Sequence, residues 1–231
     1  MVLPCFYTPE LVSEGFLVLN EETSKHIIQV LRMKQNEEIN LTDGKGKLVR
    51  AAIVEEHKKK SVVSVIDAQF FEQEKRQISI GISLLKNTSR FEWFLEKATE
   101  IGVTEIIPLL CDRTEKQHFR FERMNSILIS AMLQSQQYWL PVFHQPTKFD
   151  EAISTGKYQT KLIAHCEEEQ RTSVREFMNL PSAQIMIGPE GDFTKEEITH
   201  ALQSNFTPVS LGETRLRTET AGVVAATFLC S

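Results

Sequence analysis

From residue 78 onward, apolar runs of strand length alternate with segments of helical periodicity. The runs are ISIGISLL, EIIPLLC, TKLIAHC, AQIMIG and TPVSLG. One predicted helix, SRFEWFLEKATEIGV, is capped by Ser89 and ended by Gly102, and another extends from about Phe121 to Tyr138. Strands and helices that alternate in this way are typical of a parallel sheet with helices on both faces. The sequence therefore predicts an α/β fold for this part of the chain.

The first seventy residues have a different pattern, in which strands predominate. GFLVL, EINLTDG, KLVRAAIVEE and SVVSVIDAQF read as strands, and Asp43-Gly44 is a hairpin-type turn. One helix interrupts them, capped by Thr23 or Ser24 and ending near Met33. Several strands with one helix indicate a small β-barrel. The polar stretch EQEKRQ at residues 72–77 separates the two patterns, so we expect domains at residues 1–71 and 72–231.

The composition argues against secreted, membrane and metal-binding proteins. The 231 residues are 41% hydrophobic and 25% charged, which is ordinary for a globular chain. The N-terminus lacks a signal-peptide pattern and no segment is long enough to cross a bilayer, so we expect a cytoplasmic protein that does not contact a membrane. The four cysteines are far apart in sequence and none lies at metal-ligand spacing, so no metal site is expected.

The net charge of −5 argues against indiscriminate binding to nucleic acid, so any RNA-binding face must be local. The basic candidates in the first domain are Arg32, Lys58, Lys59 and Lys60. Those in the second domain are Lys86, Arg90, Arg113, Lys116 and Arg120. A solvated surface is the simpler interpretation of each group taken alone.

Ligands of parallel α/β sheets bind where loops leave the carboxyl ends of the strands. Three such loops stand out: LIAHCEEE, IGPEGDFT and LGETRLRTETA. In the second, Thr194 and Glu197 fit a capping box, so a helix should begin there. That loop lacks both the G-x-G-x-x-G pattern and the lysine of a P-loop, which argues against a dinucleotide or triphosphate site. A plain turn is the simpler reading of this loop alone.

The third loop carries Arg215 and Arg217 and leads into AGVVAATFLC, a helix that is apolar nearly all round and must be buried. Charged residues next to such a helix need partners. The candidates are Glu190, Glu213, Glu219 or a ligand, and structural ion pairs are as plausible as a ligand.

Four segments taken together closely resemble the RsmE family of 16S ribosomal RNA uridine N3-methyltransferases, which belongs to the SPOUT class. They are HIIQVLRM at residues 26–33, EKATEIGVTEIIPL at residues 96–109, IGPEG and LGETRLRTETA. The resemblance runs in order over nearly the whole chain. It implies an N-terminal PUA-like β-barrel that helps to hold RNA, and a C-terminal α/β domain whose last segment forms a deep trefoil knot.

The resemblance also implies a cofactor, S-adenosylmethionine, held in a bent shape where the three loops meet. Gly188 and Gly191 would let the main chain approach it. The residues assigned to the cofactor are Ala164, His165, Ile187, Gly188, Gly191, Leu211, Gly212, Leu216 and Thr218. Members of the family resemble one another in being homodimers, and the apolar C-terminal helix suits either a subunit interface or an internal core.

The implied reaction is methylation of uridine N3 in 16S ribosomal RNA of the small subunit. Uridine N3 is a poor nucleophile until it loses its proton, so a cation or a general base is needed. Arg217 is assigned the electrostatic role, and Glu190 or Glu219 would remove the proton or orient Arg217. A structural salt bridge is an equal alternative for both glutamates.

The chain departs from the family pattern at two places. The family usually has PEGG where this chain has PEGD, so Asp192 adds a negative charge, which a helix N-terminus would tolerate. Many members carry a Glu and an Arg where this chain has Leu133 and Gln137, so that ion pair is not carried over. Two other functions remain open: an RNA-binding assembly factor without activity, and a SPOUT enzyme that acts on transfer RNA or on a ribose hydroxyl.

Overall fold

The computed structural model describes residues 3–115, 119–154, 157–167 and 171–231. The chain divides into two compact units. The first comprises Met1–Gln73 together with Met132–Leu140, and the second comprises Glu74–Ala131 and Pro141–Ser231. The segment Met132–Leu140, which the sequence analysis assigned to the second domain, therefore belongs to the first unit.

The first unit is built on one five-stranded sheet in the order β1-β3-β4-β5-β2. The strands are β1 (Cys5–Tyr7), β2 (Phe16–Val18), β3 (Glu38–Thr42), β4 (Lys47–Glu55) and β5 (Val62–Phe70). Strands β3, β4 and β5 pair antiparallel, and β1 pairs parallel with β3. The four expected strands are present, and β1 is an additional three-residue strand that the sequence did not predict.

The helix of the first unit begins earlier than predicted. Helix α1 (Glu21–Lys25) continues as a π-helical segment, His26–Val30. Its N-cap is Asn20, whose Oδ1 accepts a hydrogen bond of 2.8 Å from the Thr23 N–H, so the prediction of Thr23 or Ser24 as the cap was wrong. Ile27 is fully buried and joins the core of the sheet, where it packs with Leu41 and Ile53 among others.

In the second unit the described strands form a parallel sheet in the order β11-β13-β10-β12-β6-β7-β8, with β9 also paired to β7. The central strands are β6 (Gln77–Ser83), β7 (Glu105–Leu110), β10 (Thr160–Ala164), β12 (Ser182–Ile187) and β13 (Thr207–Ser210). The short strands are β8 (Val142–Phe143), β9 (Thr147–Lys148) and β11 (Thr172–Ser173). The prediction of a parallel sheet is confirmed.

Helices cover both faces of this sheet. They are α2 (Thr88–Ile101), α3 (Phe121–Gln134), α4 (Phe149–Ser154), α5 (Lys195–Gln203) and α6 (Thr218–Cys230), with a 3₁₀ turn at Val174–Phe177. Residues of α4 and α5 pack with Ile107, Ile163 and Met186 on one face. On the other face, α6 contacts α2, β6 and β12.

The helix ends agree only partly with the sequence prediction. Thr194 and Glu197 form the expected capping box of α5, and Gly102 ends α2 in a left-handed conformation. The N-cap of α2 is Asn87, whose Oδ1 accepts from the Ser89 N–H, so Ser89 itself is not the cap. Helix α3 stops at Gln134, four residues before the predicted end, and Gln136 has a positive φ of 57° that an α-helix does not allow. Among the described residues, no helix is long and apolar enough to cross a membrane.

A buried carboxylate connects β7 to the chain before β10. Glu105 accepts hydrogen bonds from the Tyr158 hydroxyl (2.5 Å) and the Lys157 ammonium (3.2 Å), and it lies 3.0 Å from Nε2 of His144. Burial alone would raise the pKa of Glu105, but the contacts with Tyr158 and His144 and the charge of Lys157 outweigh it, so the pKa is lowered. The ionised carboxylate therefore stabilises the second unit.

We expect Glu105→Gln to lower the free energy of unfolding at pH 7 by roughly 1 to 3 kcal/mol, because charge-assisted hydrogen bonds are lost. Since the folded pKa lies below the unfolded value of 4.5, this stabilisation is present above about pH 4.5 and is lost as the pH falls through the folded pKa. Urea unfolding at neutral and acidic pH tests this. The difference in the free energy of unfolding between wild type and Glu105→Gln should narrow in acid. The control Glu151→Gln, at an exposed position, should unfold like wild type at both pH values. A constant difference at every pH would contradict the assignment.

Candidate active site

A cavity lies where β10, β12 and β13 end, at the carboxyl edge of the parallel sheet. Its volume is about 340 Å³, within the range of small-molecule sites. Residues from all three loops identified in the sequence line it, together with the first turns of α6. The lining residues are Ala164, His165, Cys166, Arg171, Ile187, Gly188, Pro189, Glu190, Asp192, Val209, Ser210, Leu211, Gly212, Thr214, Arg215, Leu216, Arg217, Thr218 and Ala221.

One wall of the cavity is formed where the loop after β12 meets the start of α6. The Thr218 hydroxyl donates a hydrogen bond of 3.0 Å to the Gly188 carbonyl oxygen, and this contact is buried. A Cβ atom at Gly188 would lie 3.0 Å from the Phe193 ring and 3.2 Å from its backbone nitrogen. Glycine at this position therefore lets the buried Phe193 pack directly under the loop, which brings the backbone of residue 188 to the cavity.

The loop after β13 leaves open space beside the cavity. Gly212 has a φ of 155°, and a Cβ atom there would meet no atom within 4 Å. The Gly212 carbonyl accepts a hydrogen bond of 2.9 Å from the Ser210 hydroxyl, which turns the chain at the end of β13. Leu211 and Leu216 flank the turn and add apolar surface to the lining.

A third contact joins the loops after β10 and β12. The carboxylate of Asp192 accepts a 2.7 Å hydrogen bond from the Cys166 N–H and a 2.8 Å bond from the Phe193 N–H. Arg171 donates a 2.6 Å hydrogen bond to the His165 carbonyl oxygen. Asp192 lies before the N-cap Thr194, and it has a left-handed φ of 63°. Two backbone N–H groups therefore donate hydrogen bonds to this carboxylate, which lies two residues before the N-cap of α5.

The arginines of the last loop lie in solvent-exposed positions on the cavity wall. Arg215 and Arg217 are both exposed, and within the described residues neither side chain makes an ion pair or a hydrogen bond. Of the two alternatives that the sequence left open, pairing with Glu190, Glu213 or Glu219 is not seen in the described residues, and a ligand stays a prediction. Their guanidinium groups are available to a bound molecule.

The two candidate glutamates instead face Arg90 of α2. The Arg90 guanidinium lies 3.6 Å from Glu190 and 3.6 Å from Glu219, so it forms an ion pair with each. Glu219 is 6% exposed and does not line the cavity, whereas Glu190 does. The predicted RNA-binding residue Arg90 is thus the partner that positions both carboxylates.

Other predicted site residues occupy different places. Gly191 does not line the cavity, and its carbonyl accepts a 2.7 Å hydrogen bond from Arg113, which also donates to the Phe193 carbonyl. Lys86 pairs with Glu115 at 2.9 Å. Lys116 lies outside the described residues. Arg113 and Lys86 therefore have contacts within the second unit.

In the first unit, Lys58, Lys59 and Lys60 form an exposed turn between β4 and β5. The ring Nδ1 of His57 accepts from the N–H groups of Lys59 and Lys60, at 3.2 and 3.1 Å, so the turn has a defined backbone. Arg32 is also exposed, with a positive φ of 56°. Leu133 and Gln137, where the family pattern has charges, are half-buried in this unit, and the Gln137 amide donates to the Ser135 hydroxyl.

Sequence reasoning missed several residues that line the cavity. Arg171 follows a run of glutamates, and the only signal was a lone cation after them. The sequence analysis considered Cys166 only as one of four cysteines without metal-ligand spacing. Burial, followed by the charge of Asp192, raises the pKa of the Cys166 thiol, so the thiolate that a nucleophile requires is disfavoured near neutral pH.

The lining suits a zwitterionic ligand with an apolar part. Leu211, Leu216 and Ile187 supply apolar surface, three arginines offer partners for a carboxylate, and Glu190 and Asp192 offer partners for cations. S-adenosylmethionine combines these features, since it carries a carboxylate, an ammonium, a sulfonium and an adenine. Within the described residues, no group of three His, Cys, Asp or Glu side chains is arranged to hold a metal ion.

The fold and cavity define an α/β domain with a small-molecule site, joined to a small β-rich unit. Residues 72–230 match the RNA methyltransferase domain family, and residues 19–67 match the RNA methyltransferase PUA domain family. The chain belongs to this RNA methyltransferase family. The ribosomal RNA small subunit methyltransferase E of Synechocystis is 30% identical over 226 residues, which cover 94% of this chain and 73% of that protein.

Solved structures agree with this family over the full chain. A probable rRNA-methyltransferase from Porphyromonas gingivalis matches with a TM-score of 0.90 and 38% identity, covering 97% of this chain and 95% of that one. The ribosomal RNA small subunit methyltransferase E of Neisseria gonorrhoeae, solved bound to S-adenosyl methionine, matches with a TM-score of 0.86 and 31% identity, covering 97% and 95%. The resemblance stated from the sequence is thereby confirmed at the level of the family.

Proposed function

We propose that this protein methylates N3 of a specific uridine in 16S ribosomal RNA of the small ribosomal subunit, with S-adenosylmethionine as the methyl donor. The observation that carries the proposal is the cavity at the ends of β10, β12 and β13. Its lining combines apolar surface with three exposed arginines, Arg171, Arg215 and Arg217. A full-length relative of the same fold was solved with this cofactor.

The cofactor supplies an electrophilic methyl group on a sulfonium, and the chain supplies position and charge. The backbone at Gly188 and Gly212, with Leu211, Leu216 and Ile187, would hold the cofactor's apolar and adenine surfaces. Ala164, His165 and Thr218 complete the wall. Positioning the two reactants in line accounts for much of the acceleration in such a transfer.

The chain must also favour the deprotonated form of the uridine. The base has to leave any helical stack to enter the cavity. The exposed Arg217 guanidinium would stabilise the negative charge that develops on the imide. Glu190, oriented by Arg90 at the cavity edge, is the better candidate to take the N3 proton, because Glu219 lies behind the wall.

Three further features belong to this proposal. The family resemblance implies a deep trefoil knot in the last segment of the second unit, which runs from β13 to α6. We also infer a homodimer, for which the exposed Trp93 on α2 offers apolar surface, and analytical ultracentrifugation would test it. A cytoplasmic location follows from the proposed ribosomal substrate.

The proposed activity is tested with small ribosomal subunits purified from a deletion strain. Incubation with labelled S-adenosylmethionine should transfer one methyl group per subunit, and nuclease digestion with mass spectrometry should find it on uridine N3. Cofactor binding without transfer to any RNA would support an assembly factor instead. Label on transfer RNA or on a ribose hydroxyl would support a different member of the SPOUT class.

The first unit should contribute to RNA affinity through its exposed lysine turn. We expect replacement of Lys58, Lys59 and Lys60 by glutamine to weaken binding to 16S RNA and to reduce the slope of log affinity against log salt by up to about three, since each phosphate contact releases about one counterion. Cofactor affinity should not change. Lys25, which pairs with Glu21 in the same unit, gives a matched control. Unchanged affinity and slope in the triple variant would identify the turn as a solvated surface only.

A further inference from the structure

The peptide group that joins His165 to Cys166 is bound at both of its polar ends by charged side chains. Its carbonyl oxygen accepts a 2.6 Å hydrogen bond from the Arg171 guanidinium. Its N–H donates a 2.7 Å hydrogen bond to the Asp192 carboxylate. All four residues line the cavity. A cation therefore lies at the negative end of this peptide dipole and an anion lies at its positive end.

This arrangement connects parts of the chain that are otherwise separate loops. Cys166 and Asp192 are 26 residues apart in sequence, and they follow the neighbouring parallel strands β10 and β12. Asp192 is itself held in place, because its other carboxylate oxygen accepts from the Phe193 N–H, and Phe193 is buried. The position of the His165–Cys166 peptide is thus set from the packed core through Asp192.

We infer that Arg171 and Asp192 are positioning residues, which fix the His165–Cys166 peptide and so keep the wall of the cavity ready to bind S-adenosylmethionine. This inference rests on the proposed function, since it takes the cavity to be the cofactor site. Hydrogen bonds to charged groups are about twice as strong as neutral ones, and two of them on one peptide leave it little freedom. A loop that is ordered before binding loses less entropy when the ligand binds.

The backbone of Asp192 makes a clean experiment possible. Its φ of 63° is left-handed, a region that glycine adopts without strain. Asp192→Gly therefore removes the carboxylate and leaves the backbone conformation accessible. Asp192→Asn keeps an oxygen that can accept the Cys166 N–H, and it loses only the charge. Glu213→Gln is the matched control, because Glu213 is exposed on a neighbouring loop, does not line the cavity, and has no hydrogen bond or ion pair within the described chain.

Two measurements are made on each variant. The first is the exchange rate of the Cys166 amide proton in the protein without cofactor, followed by nuclear magnetic resonance. We expect Asp192→Gly to exchange at least tenfold faster than wild type, with Asp192→Asn between them. The second is calorimetric affinity for S-adenosylmethionine, which should fall by about tenfold in Asp192→Gly, the effect of losing one charge-assisted hydrogen bond. Glu213→Gln should match wild type in both measurements.

Arg171 allows a second test, because it binds the carbonyl oxygen of the same peptide group. Arg171→Ala should also weaken cofactor binding, and the double variant with Asp192→Gly should lose less than the product of the two single effects, because both side chains act on one peptide group. Independent, multiplying losses would overturn the inference. Faster amide exchange without weaker binding would overturn it as well, since the pair would then order the loop without positioning the cofactor.

The outcome also separates this inference from the proposed function. Failure of the wild-type protein to bind S-adenosylmethionine would contradict the proposed function and, with it, the cofactor part of the inference. Normal binding by wild type together with unchanged exchange and affinity in Asp192→Gly would leave the proposed function intact and overturn the positioning role alone.

Discussion

Arg217→Ala should lower the rate of methyl transfer by about two to three powers of ten and leave cofactor affinity nearly unchanged. The Arg217 side chain lies on the cavity wall, is exposed, and has no ion pair or hydrogen bond to the rest of the described chain. The nearby carboxylates Glu190 and Glu219 are occupied by Arg90. The Arg217 guanidinium is therefore free to contact an anionic group of a bound molecule.

Single-turnover transfer of labelled methyl to unmodified small subunits, with the cofactor saturating, measures the rate. Calorimetry measures cofactor affinity, and thermal melting reports on folding. Because Arg217 is exposed, the melting temperature should not change, and its backbone carbonyl still accepts from the Ala221 N–H at the start of α6. Weaker cofactor binding with a normal rate at saturation would assign Arg217 to the cofactor carboxylate. A full rate and full affinity would remove it from the site.

Gly222→Val should destabilise the second unit by about 3 kcal/mol, the upper end of the usual cost of overpacking a core. Gly222 lies where α6 crosses α2. A Cβ atom there would be 2.6 Å from Cε2 of Phe94 and 2.9 Å from Cδ1 of Ile82, and both side chains are fully buried. Neither helix can move away without exposing the core, so the strain is not relieved locally.

Gly222→Ala gives the sharper test, because two effects of opposite sign compete. In an exposed helix this change would stabilise by roughly 1 kcal/mol through helix propensity. Here we expect net destabilisation, since even one methyl group overlaps Phe94. Urea unfolding measures both variants, and Thr227→Ala on the exposed side of α6 is the control. A stabilised Gly222→Ala protein would contradict the close packing of α6 on α2.

Displacement of α6 should also change the shape of the cavity wall. Helix α6 begins at Thr218, whose hydroxyl is bonded to the Gly188 carbonyl in the cavity wall. A folded Gly222→Val protein should therefore bind the cofactor more weakly than wild type. Helix α6 therefore packs as an internal core element, which is the second of the two alternatives that its apolar sequence allowed.

Local signals in the sequence predicted the elements of the second unit well. Two helix ends were predicted correctly: the capping box of Thr194 and Glu197, and the C-terminal glycine Gly102. Both depend on interactions within a few residues, so the local sequence is enough to predict them. The apolar runs that became β6, β7 and β12 are buried on both faces along nearly their whole length, and their continuous hydrophobicity is visible without a structure. The N-caps Asn20 and Asn87 were misassigned because neighbouring Ser and Thr residues carry the same signal.

The sequence by itself determined the two patterns of secondary structure and, through the motifs IGPEG and LRTETA, the family and the three loops of the cavity. Only the tertiary structure decided which charges meet. Arg90 reaches Glu190 and Glu219, Arg113 reaches a carbonyl 78 residues away, and Asp192 reaches the Cys166 N–H. The segment Met132–Leu140 likewise joins the first unit. Such pairs depend on the register of parallel strands and the packing of helices, and short-range patterns of residue type carry no information about either.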